Sequence, residues 1–396
     1  MKNLVLGYPR GSNKWRGLAD ALIGCSESVD IVTNEFDKIK GPYDKIWTMS
    51  ESLLPLQAKL EKKWNVKNIS SRTAEILSDK KQMDDFCASL GIAPLIPKSV
   101  IPTKIQDFDI FSGKSFIIKP TIGSGTKQDY EHKIDYVSYN NIDSFINDAY
   151  SDLLFKVNET GFVDNNFGGR INFYMAQEYL PHKKLYAPYV YVNQCGSIRN
   201  IFWVEGNIET NVIDKNRFES KPIDFMSINS TDVPKDVVAS SEFYFQTIVD
   251  ELNIKSMFFA GPDFYYETGL HTRVIDCNPR IGQGLQILNE LNGNNILTAL
   301  LENRQFDIDN HILWKNADLK PGTIKEIKDY SYLKKYITST SLNTLLPGDV
   351  VKEFTNTPAV AEPKISLKIP GKTRTDMYET YRSVSDELQA CIVYED

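Results

Sequence analysis

An α/β protein is what this sequence predicts, and three observations carry the prediction. Short apolar runs alternate with amphipathic stretches through about the first 95 residues. The middle of the chain is rich in strand–turn–strand patterns. The tail sets the turn signals KPGT, LPGD and IPGK between short strand-like runs and closes on a helix.

The bulk properties agree. A chain of 396 residues suggests two or three domains and ample core. Apolar content of 41% and charged content of 24% are ordinary for a soluble globular protein. A net charge of −7 argues against nucleic acid as a general partner, while leaving room for a local basic pocket. The opening MKNLVLGYPRG has too short an apolar run for a signal peptide or a membrane span. The five cysteines (Cys25, Cys87, Cys195, Cys277, Cys391) are scattered and lack CxxC spacing, which points to a reducing, cytoplasmic compartment and against structural zinc.

Taken in order, NLVLGYP and VDIVT read as parallel-type strands with an amphipathic stretch from Trp15 to Ile23 between them. YDKIWTMSE reads as a third strand and turn, followed by a helix around Leu56 to Trp64. This first domain (1–95) lacks GxGxxG and is therefore not read as a dinucleotide site. In SDKKQMDDFCASLGI, Ser78 is the expected cap, Met83, Phe86 and Leu90 share a face, and Gly91 ends the helix. KSFIIKPTIGSGTKQDY then gives a strand, a lysine at its end and a Gly/Ser/Thr loop. ASSEFYFQTIVDELNI reads as a further helix, and Thr373 caps a last one carrying Met377, Tyr381, Val384 and Leu388 on one stripe.

Chemistry concentrates in GPDFYYETGLHTRVIDCNPR. Glycine first in Gly269-Leu270 suits a two-residue hairpin turn, and counting back from it sets Asp263 opposite Asp276. Period-2 alternation adds Asn278 to the same face. Carboxylates on opposed Cβ atoms about 5 Å apart repel by roughly 3 kcal/mol at an effective dielectric of about 20. One acid must hold a proton, or a cation must sit between them. The three hard oxygen donors suit Mg²⁺; the other reading is a solvated hairpin edge in a different register. Upstream, Lys119 beside Gly123, Ser124, Gly125 and Thr126 has the charge and backbone N–H groups to meet phosphate oxygens, although the P-loop order is missing. A surface turn beside a lysine is the alternative.

The pieces taken in order resemble the ATP-grasp superfamily over most of the chain: Lys80 in SDKKQM, Lys119 in FIIKP, the GSGT loop, AQEYL, Asp263 in GPDF, and DCNPR. The resemblance implies an N-terminal open α/β domain (1–95), a central lid (96–180), a metal-binding subdomain (181–300) and a C-terminal cap (301–396). It also implies that Lys80, Lys119 and the loop hold nucleotide phosphates, and that Gln177, Glu178, Tyr179 and Leu180 form the adenine hinge. Asp263, Asp276 and Asn278 would bind one or two Mg²⁺, with Mn²⁺ as an alternative. Arg280 would meet the transferred phosphoryl group or the substrate carboxylate. Two departures stand out. PHKKLYAPY offers no ribose acid after the hinge, and Asp276 occupies a position that is often Glu.

The implied activity is an ATP-dependent carboxylate–amine ligase working through an acyl phosphate on small-molecule substrates. DKIWTMSESLLPLQAKL, with Glu51 at its turn, and the PG-rich tail resemble the L-amino acid ligases that make dipeptides and their antibiotic-pathway relatives. An acceptor on a carrier protein, a non-amino-acid metabolite, or a nucleotide-binding regulator without turnover are the competing expectations. Arg199 in GSIRN is a candidate carboxylate anchor, and a surface ion pair is its other reading. Arg273 reads as structural, His182-Lys183-Lys184 as a solvated turn, and His132, His271 and His311 receive no chemistry. No membrane partner is expected, and a homodimer is the expected assembly.

Overall fold

The computed structural model describes residues 2–7, 18, 21–22, 28–33, 35–123, 137–148, 151–164, 170–180, 183–212, 217–266, 272–293, 295–337, 345–351 and 365–395. Three short parallel strands open the chain: β1 (Lys2–Leu6), β2 (Ser28–Val32) and β3 (Lys45–Thr48), in the order β2-β1-β3. The apolar runs of β1 and β3 are buried as the sequence predicts, while β2 is half-exposed, with Ile31 at the surface. Leu4, Leu6 and Ile46 pack on one side of the sheet. Val5 and Trp47 pack on the other, against Phe258, Ile281 and Leu285 from far along the chain. This shared core joins the N-terminal sheet to the segment that follows Arg280.

A one-turn 3-10 helix (Glu51–Leu53) leads from β3 into α1 (Leu54–Trp64). Next come α2 (Ser71–Ser78) and α3 (Lys80–Ser89). Here the sequence reading needs correction. Ser78 is the last residue of α2, and the α3 cap is Asp79, whose carboxylate accepts from the Gln82 N–H at 3.0 Å. A residue in extended backbone with a short acceptor suits that place, and Asp79 has both. The helix ends at Ser89 with Leu90 in extended backbone, one residue before Gly91.

Among the described residues, twelve strands form one continuous sheet. One wing is built from β4 (Ser99–Val100), β5 (Phe116–Pro120), β6 (Val137–Tyr139) and β9 (Tyr174–Glu178). Beneath it lies an aromatic core of Phe108, Phe116, Phe145 and Tyr174. A separate hairpin, β7 (Phe162–Asp164) with β8 (Arg170–Asn172), precedes β9. The other wing is antiparallel: β10 (Lys184–Val192), β11 (Ile198–Val212) and β12 (Arg217–Ile228), with β13 (Met257–Ala260), β14 (Phe264–Tyr266) and β15 (Arg273–Val274) on the far side of β10. Helix α4 (Lys235–Leu252) buries Tyr244, Phe245 and Ile248 in the core that also contains Trp203 and Phe264.

Past β15 come α5 (Gln283–Leu291) and α6 (Asn295–Leu301). The sheet resumes with β16 (His311–Asn316) and β19 (Ser366–Gly371), while β17 (Gly322–Ile327), β18 (Val350–Val351) and β20 (Ile392–Tyr394) pair among themselves. The final helix α7 (Arg374–Ala390) is capped by Thr373 and buries Met377, Tyr381, Val384 and Leu388, as its stripe predicts. No helix among the described residues is long and apolar enough to cross a membrane.

Candidate functional site

The β14–β15 hairpin corrects the predicted register by one residue. Phe264 pairs with Val274 and Tyr265 with Arg273. The predicted turn at Gly269-Leu270 lies outside the described residues. Beyond the ladder the Asp263 N–H donates to the Asp276 carbonyl at 2.8 Å, while the Ile275 N–H donates to the Asp263 carbonyl at 3.0 Å. Ile275 and Asp276 thus both face Asp263, a bulge that absorbs the shift and returns Asp276 to its side. Ala260 then bridges to Asn278.

The two carboxylates sense each other. Burial and then the charge of Asp276 push the Asp263 carboxyl up to about 7. Lys119, buried near the end of β5, donates from Nζ to the Ile275 carbonyl at 3.3 Å. Burial lowers its pKa, against the opposing pull of Asp276, Asp84 and Asp263. Lys80 begins α3; its N–H donates to the Thr121 carbonyl at 2.8 Å and its Nζ to the carbonyl of Gly123. Gly123 has φ +102, a conformation glycine adopts without a Cβ penalty. The structure therefore brings Lys80, Lys119, Gly123, Asp263, Asp276, Asn278 and Arg280 together. Ser124, Gly125 and Thr126 lie outside the described residues.

Arg280 leaves the metal-side strand and donates from Nε to Glu51 Oε2 at 3.0 Å, with a longer contact of 3.5 Å from Nη2 to Asn278 Oδ1. The glycines after it have a steric reason. A Cβ on Gly282 would come within 2.6 Å of both the Ala260 Cβ and the Tyr189 ring, and one on Gly284 within 2.9 Å of the Tyr189 hydroxyl. The chain turns under Tyr189, which stacks on Phe202 with centroids 4.4 Å apart.

The hinge segment ends β9. Gln177 is buried, and its Nε2 donates to Asp84 at 2.9 Å. Glu178 is salt-bridged to Lys114, and its N–H donates to the Lys98 carbonyl at 2.8 Å. The Tyr179 N–H donates to the Ser115 carbonyl at 2.9 Å, and Leu180 is buried. Arg199 is not brought to this cluster. It donates to the Arg304 carbonyl at 2.6 Å and lies over the Phe306 ring, 4.7 Å from its centroid. That half-buried cation on β11 meets a neighbouring loop, and the correction is plain: its partners lie away from the cleft. Arg273 donates to the Ile96 carbonyl at 3.4 Å, a tether between segments.

Sequence reasoning gave no role to two residues that the fold delivers. Glu51 and Asp84 line one cleft with Lys80, Gly123 and Asp276. Burial raises the Asp84 carboxyl to about 6 against the charge of Lys119. Its position four residues after Lys80 on α3 was a usable signal, since residues so spaced share a helix face. Glu51 was marked only as the turn residue of a segment that resembles the L-amino acid ligases, and nothing local names Arg280, 229 residues away, as its partner.

The donor set fits a hard divalent cation. Asp263 and Asp276 supply carboxylates beside one another and Asn278 a neutral oxygen, and burial together with the charge of Asp276 raises the Asp263 carboxyl despite Lys119 and Arg280. Among the described residues no three His, Cys, Asp or Glu side chains form a metal-holding group.

Comparison with solved structures follows the same geometry. The chain is similar to an L-amino acid ligase from Bacillus licheniformis at TM-score 0.68, over 100% of this chain and 99% of that one, with 15% identity. It is similar to an N5-carboxyaminoimidazole synthase from Aspergillus clavatus, solved with ADP and 5-aminoimidazole ribonucleotide, at TM-score 0.61, over 98% of each chain, with 12% identity. A phosphoribosylglycinamide synthetase from Anaerococcus prevotii matches at TM-score 0.55, over 100% of this chain and 99% of that one, with 12% identity. No protein-family model matches the sequence, and no curated protein does. The chain has the ATP-grasp fold.

Proposed function

We propose that the protein is an ATP-dependent ligase that activates a carboxylate as an acyl phosphate and joins it to an amine, forming a peptide or amide bond between amino acids. The observation that carries this reading is a cleft lined by Lys80 and Asp276, with Lys119, Asp263 and Arg280 hydrogen-bonded to its lining residues and Asn278 to Arg280. The similarity in fold to an L-amino acid ligase supports the choice of substrates.

The residues divide the work. Lys80 and Lys119 would bind nucleotide phosphates and stabilise charge that spreads during phosphoryl transfer. Asp263, Asp276 and Asn278 would hold Mg²⁺. The bound ion supplies Lewis-acid charge at the phosphates. The substrate carboxylate oxygen attacks the γ-phosphorus, forming one P–O bond as the bond to ADP breaks. An amine then attacks the acyl carbon, loses a proton, and expels phosphate. Arg280 is placed to hold the carboxylate and then the tetrahedral oxyanion. No protein nucleophile is needed.

The test is ADP release with Mg²⁺ and ATP against pools of amino acids and other carboxylates, each with and without added amines, with mass analysis of products. A product equal to acid plus amine minus water, formed with ADP, supports the ligase. Nucleotide binding without ADP release from any pool, carrier proteins included, would count against it and in favour of a regulator.

A further inference from the structure

Glu51 stands apart from the other cleft residues in origin. It comes from the turn after β3, in the N-terminal sheet, and crosses 229 residues of sequence to reach Arg280. The turn that presents it is held locally: the Thr48 hydroxyl donates to the Ser50 carbonyl at 2.9 Å and accepts from the Ser50 N–H at 3.2 Å. The shared core of Val5 and Trp47 with Phe258 and Ile281 keeps the two segments in register.

The pair is directional. Of the Arg280 nitrogens, Nε makes the short bond, 3.0 Å to Glu51, while Nη1 and Nη2 make contacts of 3.5 Å to the Ile281 carbonyl and to Asn278. A guanidinium fixed at Nε keeps its outer N–H groups available for a second, bidentate partner. Side-chain exposure is 10% for Glu51 and 22% for Arg280, so the acid is the more buried partner. Burial alone would raise the Glu51 carboxyl, but the charges of Arg280 and Lys80 outweigh it, and the acid is ionised.

We propose that Glu51 is a positioning residue for the carboxylate substrate: its ionised carboxylate orients the Arg280 guanidinium so that the outer N–H edge meets the substrate carboxylate and the acyl phosphate formed from it. The proposal rests on the ligase reading above. A buried ion pair is weak evidence for stability alone, because desolvation offsets most of its attraction. Orientation is what the pair adds.

The test is steady-state ADP release by the full-length protein, using the carboxylate that the wild-type pools identify. The variants are E51Q, E51D, R280K and the double variant E51Q/R280K. E51Q keeps an oxygen for Nε but removes the charge; E51D keeps the charge but shortens the reach. The expected result is a KM for the carboxylate raised about tenfold or more in E51Q and R280K, with KM for ATP within about twofold of wild type. The double variant should be no worse than R280K alone. Binding of ADP with Mg²⁺, measured by calorimetry, confirms that each variant is folded, and E51D takes the place of E51Q if E51Q is not. If both KM values move together, or the two substitutions multiply, the pair is only structural and the proposal fails. If wild type turns over and the folded variant's carboxylate KM is unchanged, the proposal also fails while the ligase reading stands. If wild type releases no ADP, both fail together.

Discussion

The Lys119 ammonium donates to the Ile275 carbonyl at 3.3 Å, one residue before Asp276, and so lies within the field of Asp276, Asp84 and Asp263. In the absence of ligand this lysine supplies positive charge to the acids that would hold a divalent cation. Removing it should leave the acid pair undercompensated. In K119M, Mn²⁺ affinity measured by paramagnetic resonance without nucleotide is expected to rise about tenfold, or ~1.4 kcal/mol. ADP formation should fall by about 10²-fold or more through loss of a phosphate contact. An unchanged Mn²⁺ affinity would show that Lys119 does not compensate the pair.

Arg199 makes the opposite case. Its bond to the Arg304 carbonyl and its place over Phe306 involve no cleft residue. R199A is therefore predicted to keep kcat/KM for ADP release within about twofold of wild type, at a stability loss of about 1 kcal/mol in urea unfolding. A tenfold fall in kcat/KM with stability unchanged would return Arg199 to the site.

Gly282 and Gly91 separate a glycine needed for space from one that is not. The Gly282 Cβ position is filled from two sides, by Ala260 and by the Tyr189 ring, while nothing lies within 4 Å of the Gly91 position. G282A is predicted to cost about 2 kcal/mol by overpacking and to slow turnover by displacing Arg280, two residues before it. G91A should be neutral within about 0.5 kcal/mol. Equal denaturation midpoints for the two variants would refute the steric account.

These cases mark how far the sequence could be read. Lys119, Asp276, Asn278 and Arg280 were expected together from the order of motifs that resembles the ATP-grasp superfamily, and the structure brings them beside one another. Strands β1 and β3 were legible as short continuous apolar runs, and the stripe of α7 by its period near 3.6. The hairpin ladder was one residue off because the count from an assumed two-residue turn fails there, and the bulge at Ile275 and Asp276, which has no signature in an apolar run, then returns Asp276 to Asp263. Asp79 displaced Ser78 as the α3 cap because both are competent and only the backbone decides between them. Glu51 was invisible as a partner of Arg280, for no local pattern spans 229 residues. Arg199 was ambiguous for the same reason: an arginine's sequence neighbours do not say where five rotatable bonds will carry its charge.

Glu61 provides a pH signature away from the cleft. It is fully buried on α1 and accepts from Gln57 Nε2 at 2.9 Å, Asn68 Nδ2 at 3.1 Å and the Ile69 N–H at 3.0 Å. Those three donors favour the charged form, yet burial outweighs them and pushes the carboxyl up to about 7 from an ordinary 4.5. The folded state therefore holds this proton more tightly than the unfolded chain does. The stability it contributes is fully present below about pH 4.5 and is lost as pH rises through about 7. The whole span amounts to on the order of 3 kcal/mol. In E61Q the titrating group is gone, so the difference in unfolding free energy between pH 5.5 and pH 8 should shrink by about 1–3 kcal/mol relative to wild type. Gln would bring two N–H groups to a pocket of three donors where protonated Glu61 brings one O–H, so E61Q is expected to be no more stable than wild type at pH 5.5, where Glu61 is largely protonated. Urea denaturation at the two pH values checks both statements. Identical pH slopes for the two proteins would mean that Glu61 titrates at its ordinary value and that its three donors, rather than its burial, decide its charge.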